Sequence, residues 1–424
     1  FITAVSSPPQ RFRISHEESD LRMVRRLLDC DDLPPPSPRY PLRRFSSESE
    51  GGNRKNLVIF LLESWSAKDL GCLGGKAGVT PFFDGLAQKG LLFRNFFATG
   101  IRTPEALISV LYSFPNQPVR PIMGRSAIYQ THWRSLSQIL SEAGYRTSFL
   151  YGRDLEFAHA REFLQFIRFD QVIDKRDFPS SAPPTGDSWA GYDDEELMHQ
   201  ADREFSRQGS HPFFAVISTM NTHPPFTIPK GFPRAFPPTS LSNKFLNSLH
   251  YSDYALGKFF KVAESKPYFQ NTVFLLVADH ARTREEVSLS AQHHIPLLIY
   301  APGVVKPGVR EVVGSQVDLL PTVLGLLQLK ASHASWGRNL LQVGEEDGFA
   351  VSVSGNEVRW RNGKYLLNDS LTDQSPFLFD IIKDPDCTTD LWEKKEKLGK
   401  GLQAQLRAYI SLSQALLYQN RIHP

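Results

Sequence analysis

"NLVIFLLESWSA" (residues 56–67) sets an unbroken run of six apolar side chains, Leu57 to Leu62, directly against a carboxylate, Glu63. Continuous Val, Ile, Leu and Phe without alternation is the pattern of a strand covered on both faces, as in the middle of a parallel sheet. Ligands of open α/β sheets gather at the carboxyl ends of such strands, and Glu63 stands at one. Read alone, Glu63 is equally a solvated acid that happens to end a strand. A second stretch, "TVFLLVADHART" (residues 272–283), repeats the arrangement: Val273 to Ala278 is apolar and stops at Asp279 and His280.

Two buried strands thus deliver Glu, Asp and His to their carboxyl ends. Carboxylate oxygens with an imidazole nitrogen suit manganese, zinc or magnesium, the choice falling to geometry and availability. Acids collected at one sheet edge repel one another unless a cation neutralises them, so one divalent metal ion is the economical reading.

The composition bounds this without redirecting it. A chain of 424 residues with 41% hydrophobic content can form one large α/β domain or two smaller ones, and it is not disordered as a whole. With 48 basic and 45 acidic residues the net charge is +3, and no Lys/Arg stripe interleaves with aromatics, so no nucleic-acid partner is expected. Cys30, Cys72 and Cys387 are odd in number, far apart and match no metal or redox spacing. No stretch reaches the roughly 18–20 apolar residues of a membrane span. The opening "FITAVSSPPQRFRIS" has neither an initiating Met nor a signal-peptide pattern, which reads as a fragment or a processed chain.

Residues 1–54 differ from the rest. A short helical candidate, "HEESDLRMVRRLLDCD", precedes the Pro, Ser and charge-rich "DDLPPPSPRYPLRRFSSESEGGNRKN", which reads as a lead-in or linker. From residue 55 helices and strands alternate. A helix in "TPFFDGLAQKG" is followed by a strand in "LLFRNFFATG", a helix from Thr103 to Leu111, another in "RSLSQILSEAG" and the strand "YRTSFLYG". "FFAVISTM", the long helix "SNKFLNSLHYSDYALGKFFKVAESK", the Asp-His strand and "IPLLIYAPG" continue the series. The fold class is therefore α/β, a mostly parallel central sheet with helices on both faces. From about residue 345, "FAVSVSGNEVRWRNGKYLLNDS" and "FLFDIIKDPD" predict a small antiparallel unit turning at Asn362-Gly363, before a final helix.

A nucleophile is available in "ATGIRTPEALIS" (residues 98–109). Thr103, Pro104 and Glu105 make a good helix start: a cap, a proline at the first position and an acid at the positive end of the dipole. The same place lets a hydroxyl meet a phosphate or sulfate held by unbonded N–H groups, and metal coordination would make it an alkoxide nucleophile. Arg102, next to it, is placed to contact a phosphoryl oxygen.

With Glu63, Thr103, Asp279 and His280 in hand, the chain resembles the lipoteichoic acid synthase and phosphoglycerol transferase branch of the alkaline phosphatase/sulfatase superfamily. The resemblance runs from about residue 55 to "DCTTDLW" through motifs in the family's order: "VIFLLESW", "TPFFDGLAQKGLLFRNFFATGIRT", "NTHPPF", "HYSDYALGKFF", "VADH", "HIPLLIYAPG" and "QVDLLPTVLGLL". It implies an alkaline phosphatase/sulfatase-like fold. It also implies that Glu63, Thr103, Asp279 and His280 bind one divalent ion, manganese first, with zinc or magnesium as alternatives. Thr103 would take the phosphoryl group covalently before passing it on.

Further roles follow from the same resemblance. His223 in "NTHPPF" would lie near the donor's phosphate or leaving group, against the plainer reading of a turn residue. Arg161 in "YGRDLEFAHAREFL" matches a substrate-binding Arg, but Ala158 and His159 stand where the family has its Trp, and Arg161 also reads as a solvated helix residue. His293 and His294 are further metal or substrate candidates, with capping or packing before a buried strand as the favoured role. Asp318 is expected to cap the helix that follows it. The formylglycine chemistry of usual sulfatases is not expected, because "RTPEALIS" holds Thr at the nucleophile position and no Arg follows in register. A second metal would have to draw on His293 and His294.

The leading expectation is a phosphoryl, in particular phosphoglycerol, transferase acting on phospholipid or glycan phosphodiester substrates. A phosphodiesterase, phosphatase or sulfatase-type hydrolase is the alternative, and an inert binding or sensing domain a third. The resemblance implies work in the periplasm or on the outer face of the cell membrane, with a membrane anchor upstream of Phe1.

Overall fold

The computed structural model describes residues 17–31, 37–46, 54–119, 122–123, 126–156, 159–179, 191–282, 287–370 and 375–424. The parts of the expected lead-in at 1–16, 32–36 and 47–53 lie outside these, as does Ala158.

Eight strands form the central sheet: β2 (Asn56–Leu62), β3 (Leu91–Phe93), β5 (Arg146–Tyr151), β6 (Gln171–Ile173), β7 (Phe213–Ser218), β8 (Thr272–Ala278), β9 (Leu297–Tyr300) and β10 (Gly308–Arg310). Their order is β10-β3-β9-β8-β2-β7-β5-β6. All neighbours run parallel except β9, which is antiparallel to both β3 and β8. The two unbroken apolar runs are the adjacent β2 and β8, with every residue buried. Their lack of alternation follows from cover on both faces, since each side chain then meets apolar neighbours whichever way it points. On one face the long helix Leu241–Ala263 brings Phe259 and Phe260 against Phe60 and Phe274, with ring centroids 5.1–6.4 Å apart.

The small C-terminal unit is an antiparallel sheet in the order β13 (Phe349–Ser354), β14 (Glu357–Asn362), β15 (Tyr365–Ser370) and β16 (Phe377–Asp380). Its first hairpin turns at Gly355-Asn356, where Gly355 has φ +61°, a left-handed conformation that suits glycine. The second turns where the sequence predicts, but by a different device. Asn362 ends β14, and its Oδ1 accepts the N–H groups of Lys364 (2.9 Å) and Tyr365 (2.7 Å), an Asx turn in which Gly363 needs no positive φ. Two short pairs complete the strands: β1 (Arg44–Phe45) with β12 (Ser332–His333), and β4 (Phe96–Phe97) with β11 (Gly314–Ser315).

The predicted N-terminal helix forms over Glu17–Leu27 and seats on the final helix, Glu396–Tyr418. Val24, Leu28, Cys30 and Leu42 join the main core. Arg25 is buried and donates to the carbonyls of Pro41 (2.7 Å) and Cys30 (2.5 Å). No described helix is long and apolar enough to cross a membrane.

Candidate functional site

The register of β2 on β8 pairs Leu62 with Ala278, so the next residue on each strand, Glu63 and Asp279, falls at the same level. The Asp279 N–H donates to the Leu62 carbonyl (3.1 Å), carrying the pairing one step past the strands. Ser64 then adopts φ +58°, unusual for a side chain with Cβ. That turn directs its N–H to Asp279 Oδ1 (2.8 Å) and its hydroxyl to Glu63 Oε1 (2.7 Å). The His280 N–H also donates to Asp279 Oδ1 (2.7 Å). One oxygen of each acid is thereby occupied and the other turned inward.

Thr103 opens the helix Thr103–Tyr112. The expected capping bond is not made. Arg102 is the residue before the first turn, and the Thr103 hydroxyl instead donates towards Asp279 Oδ2 (2.8 Å) and Glu63 Oε2 (3.3 Å). His280 donates from Nδ1 to the Ala281 carbonyl (2.9 Å), since a carbonyl can only accept. This fixes the tautomer and leaves Nε2 as the lone-pair atom, 3.5 Å from Asp279 Oδ2 and 3.7 Å from Glu63 Oε1. Glu63, Asp279 and His280 are buried, and one ligand atom from each lies within 4.8 Å of the others. Among the described residues no other His, Cys, Asp and Glu side chains converge in this way.

The electrostatics of these residues suit a cation. Burial first, and then the charge of Glu63, push the Asp279 carboxyl well above its usual range. Burial alone would disfavour a charged His280, but Asp279 and Glu63 outweigh it and raise the imidazole. Two carboxylate oxygens, an imidazole Nε2 and the Thr103 hydroxyl are the donor set that manganese, zinc or magnesium accepts.

Several residues hold this geometry that the sequence reading did not single out. Gln316 is fully buried; its Nε2 donates to the carbonyls of Ala278 (2.9 Å) and Asp279 (2.7 Å), while its Oε1 accepts the Thr99 N–H and hydroxyl (both 3.1 Å). It ties the metal-side strand to the loop that leads to Thr103. Thr219 accepts the Glu63 N–H (2.9 Å), and the Thr222 hydroxyl bonds the Glu63 carbonyl. From the C-terminal sheet, Ser352 donates to the Ala98 carbonyl (2.6 Å) and the Val353 N–H to the Thr99 carbonyl (2.9 Å). Gln316 was visible only as the first letter of "QVDLLPTVLG"; its partners are 37 to 217 residues away in sequence.

The remaining candidates fall into two groups. His223 follows β7, beside β2, and donates from Nδ1 to the Pro224 carbonyl (2.8 Å). Burial chiefly, with a contribution from the Arg153 charge, lowers its basicity, while Asp279 and His280 act on the same ring. Arg102 lies beside Thr103, exposed and paired with Glu105 Oε1 at 3.2 Å. Arg161 is engaged elsewhere, with Nη2 2.6 Å from the buried Asp174 and 3.8 Å from Asp177. His294 packs: Nε2 donates to the Arg94 carbonyl (2.7 Å) and the ring stacks on Phe97 at 4.9 Å. His293 is buried, and burial with the Arg359 charge lowers it to about 3, so it is neutral. Neither joins the Glu63, Asp279 and His280 cluster. Asp318 does not cap the helix after it. Its Oδ2 accepts the Ser315 N–H (2.8 Å) behind it, and its Oδ1 accepts the Arg338 N–H (2.7 Å) and faces the Arg338 guanidinium (3.3 Å).

The sulfatase family model matches residues 55–329, and the chain belongs to the sulfatase family of enzymes, within the alkaline phosphatase superfamily. It is 24% identical over 403 residues to lipoteichoic acid synthase 1 of Bacillus subtilis, covering 86% of this chain and 58% of that protein. It is 28% identical over 257 residues to phosphoglycerol transferase I of Xanthomonas campestris, covering 56% of this chain and 35% of that protein. The chain thus spans between a third and three fifths of these two relatives. A solved alkaline phosphatase superfamily protein from Vibrio parahaemolyticus superposes with a TM-score of 0.87 at 28% identity, over 98% of this chain and all of the other. The lipoteichoic acid synthase LtaP from Listeria monocytogenes shares the fold, with a TM-score of 0.74 at 20% identity over 88% of this chain and 96% of that one.

Proposed function

We propose that this chain is a metal-dependent phosphoryl transferase, with phosphoglycerol as the transferred group, working through a covalent ester on Thr103. The observation that carries the reading is the Thr103 hydroxyl, 2.8 Å from Asp279 Oδ2 and 3.3 Å from Glu63 Oε2 at a helix N-terminus, with His280 closing the cluster. Glu63, Thr103, Asp279 and His280 would hold one divalent ion, which when bound neutralises the paired acids and lowers the pKa of the threonine hydroxyl.

The chain's own groups account for the rest. Thr103 gives its hydroxyl proton to solvent, because Asp279 Oδ2, its hydrogen-bond acceptor here, would be committed to the ion. Oγ1 then forms a P–O bond, and the bond from phosphorus to the donor's alcohol breaks, the alcohol leaving after taking a proton from solvent. The hydroxyl of an acceptor next attacks phosphorus from the vacated side, losing its proton to solvent as the Oγ1–P bond breaks; Oγ1 takes a proton back, which restores Thr103 and completes the transferred ester. The N–H groups at the start of the helix favour the negative charge that builds on the phosphoryl oxygens. His223, its Nδ1 proton committed to Pro224, presents Nε2 as an acceptor suited to a substrate hydroxyl. The names of the relatives support a glycerophosphate-bearing lipid or glycan as substrate. The resemblance further supports work on the outer face of the cell membrane through an anchor outside these residues.

The test is metal content by elemental analysis of wild type, Thr103→Ala and Asp279→Ala, with a phosphodiester turnover assay run with and without added glycerol. About one divalent ion per chain is expected, lost in the Asp279 variant, with turnover lost in the Thr103 variant. Glycerol should capture product at the expense of hydrolysis. Water as sole acceptor would make the chain a hydrolase. No metal under any supplementation, with turnover unchanged in Thr103→Ala, would sink the enzyme reading.

A further inference from the structure

Arg161 is held by Asp174, but a different arginine occupies the carboxyl edge of the sheet. Arg153 lies two residues beyond β5, which pairs with β7 up to Tyr151 and Ser218; β7 runs on to Thr219, Thr222 and His223. The backbone here is fixed from both sides. The Lys175 N–H donates to the Arg153 carbonyl (3.2 Å), and the Tyr192 N–H to the Gly152 carbonyl (2.8 Å). Gly191 presses on the arginine stem: a Cβ at this position would sit 2.6 Å from Arg153 Cγ, so only glycine lets the segment close over it.

The Arg153 side chain is half-buried, and two of its nitrogens lack an internal match. Nε and Nη1 are shielded from water, and neither has a hydrogen-bond partner among the described residues. The neighbouring acids are already committed. Asp154 pairs with Lys175 (3.1 Å), and Asp174 with Arg161 (2.6 Å) and Arg176 (2.8 Å). Asp194 accepts the Met220 N–H (2.8 Å) and the Ser252 hydroxyl (2.7 Å). A guanidinium cannot shed its proton, so buried N–H groups without an acceptor cost folding energy unless a ligand supplies the oxygen. The order β8-β2-β7-β5, all parallel, sets the carboxyl ends of these four strands side by side, so Arg153 after β5 and His223 after β7 share one sheet edge with Glu63 and Asp279.

We propose that Arg153 grips an anionic oxygen of the substrate, a non-bridging oxygen of the phosphoryl group presented to Thr103, and so selects for phosphate esters at this site. The assignment rests on the phosphoryl-transfer reading for the identity of the anion, but not for the existence of the grip. An arginine kept for a ligand is a burden to the empty protein, whereas one kept for the fold is a support; the two differ in stability as well as in binding.

The experiment is calorimetric titration of the metal-loaded protein with inorganic phosphate, for wild type, Arg153→Gln, Arg153→Lys and Arg161→Gln. Melting temperatures are taken for each, and kcat and KM on a phosphodiester. Arg153→Gln should weaken phosphate binding about tenfold or more and raise KM, with an unchanged or higher melting temperature. Arg153→Lys should recover part of the affinity. Arg161→Gln should melt earlier, because it removes one of the two arginines that neutralise the buried Asp174, yet bind phosphate within about twofold of wild type. The proposal is overturned if Arg153→Gln binds phosphate as wild type does, if it melts early with affinity intact, or if wild type binds no phosphate. Phosphate binding through Arg153 without phosphodiester turnover would instead discard the transferase reading and leave the grip standing. Turnover whose KM ignores Arg153 would do the reverse.

Discussion

Thr103 carries two readings in the sequence, a helix start and a nucleophile; it does start a helix, but its side chain does not cap it. A capping threonine turns its oxygen to an N–H two or three residues on, but here the hydroxyl donates across the sheet edge to Asp279. Thr103→Ser keeps the oxygen and loses only the methyl group that fixes its rotamer. Turnover should fall by no more than about a hundredfold, against at least about a thousandfold for Thr103→Ala, with metal binding kept in Thr103→Ser and weakened in Thr103→Ala, which loses one of the four ligands. Similar rates for the two variants would show that the oxygen is not the nucleophile. Gln316 acts through others, as a positioning residue. Gln316→Leu leaves the Asp279 carbonyl and the Thr99 N–H without their partner, so kcat should fall about 10–100-fold with KM little changed. A change in KM alone would place its role elsewhere.

At the scale of elements, the helix Asp194–Arg207 holds the loop that carries His223. Asp194, in its first turn, accepts the Met220 N–H and the Ser252 hydroxyl, and its own N–H donates to Asn221 Oδ1 (2.7 Å). Burial, the largest influence, raises its carboxyl to about 6. The folded chain therefore binds this proton more tightly than the unfolded chain does. The stability it contributes is full below the unfolded value near 4, and it is lost as pH rises through about 6. Asp194→Asn removes that titration, so the variant should gain stability relative to wild type between pH 4.5 and pH 7.5, by denaturant melts at the two values. A difference independent of pH would show that Asp194 is ionised throughout. The C-terminal sheet has a comparable part, since Ser352 and Val353 pin the Ala98-Thr99 loop that precedes the nucleophile.

At the scale of the whole molecule, the site sits where β2, β8 and the Thr103 helix meet, so a bound ion braces elements far apart in sequence. Chelation should lower the melting temperature, and an ion at a hundred times its dissociation constant is worth about 2.7 kcal/mol. Scanning calorimetry with and without EDTA measures this, and Asp279→Ala should show no response. A melting curve in wild type indifferent to EDTA and to added manganese or zinc would argue against a resident ion.

The sequence determined the α/β class, the two central strands, the antiparallel C-terminal unit, and Glu63, Asp279 and His280 as a group. Each rests on a local pattern, an apolar run with its own terminating residue, which neighbouring side chains are enough to define. The tertiary structure decided what depends on pairing at a distance: the antiparallel direction of β9, the seating of the N-terminal helix on the last, and the turning of Thr103 to Asp279 rather than to its own helix. It also decided which arginine meets a buried counter-charge. Arg161 and Arg153 carry the same guanidinium on neighbouring stretches, and each keeps two buried nitrogens without a hydrogen-bond partner, but among the described residues only Arg161 meets a buried carboxylate, Asp174. A charge's role is set by the counter-charges that reach it through space, and those are fixed only once the chain has closed around them.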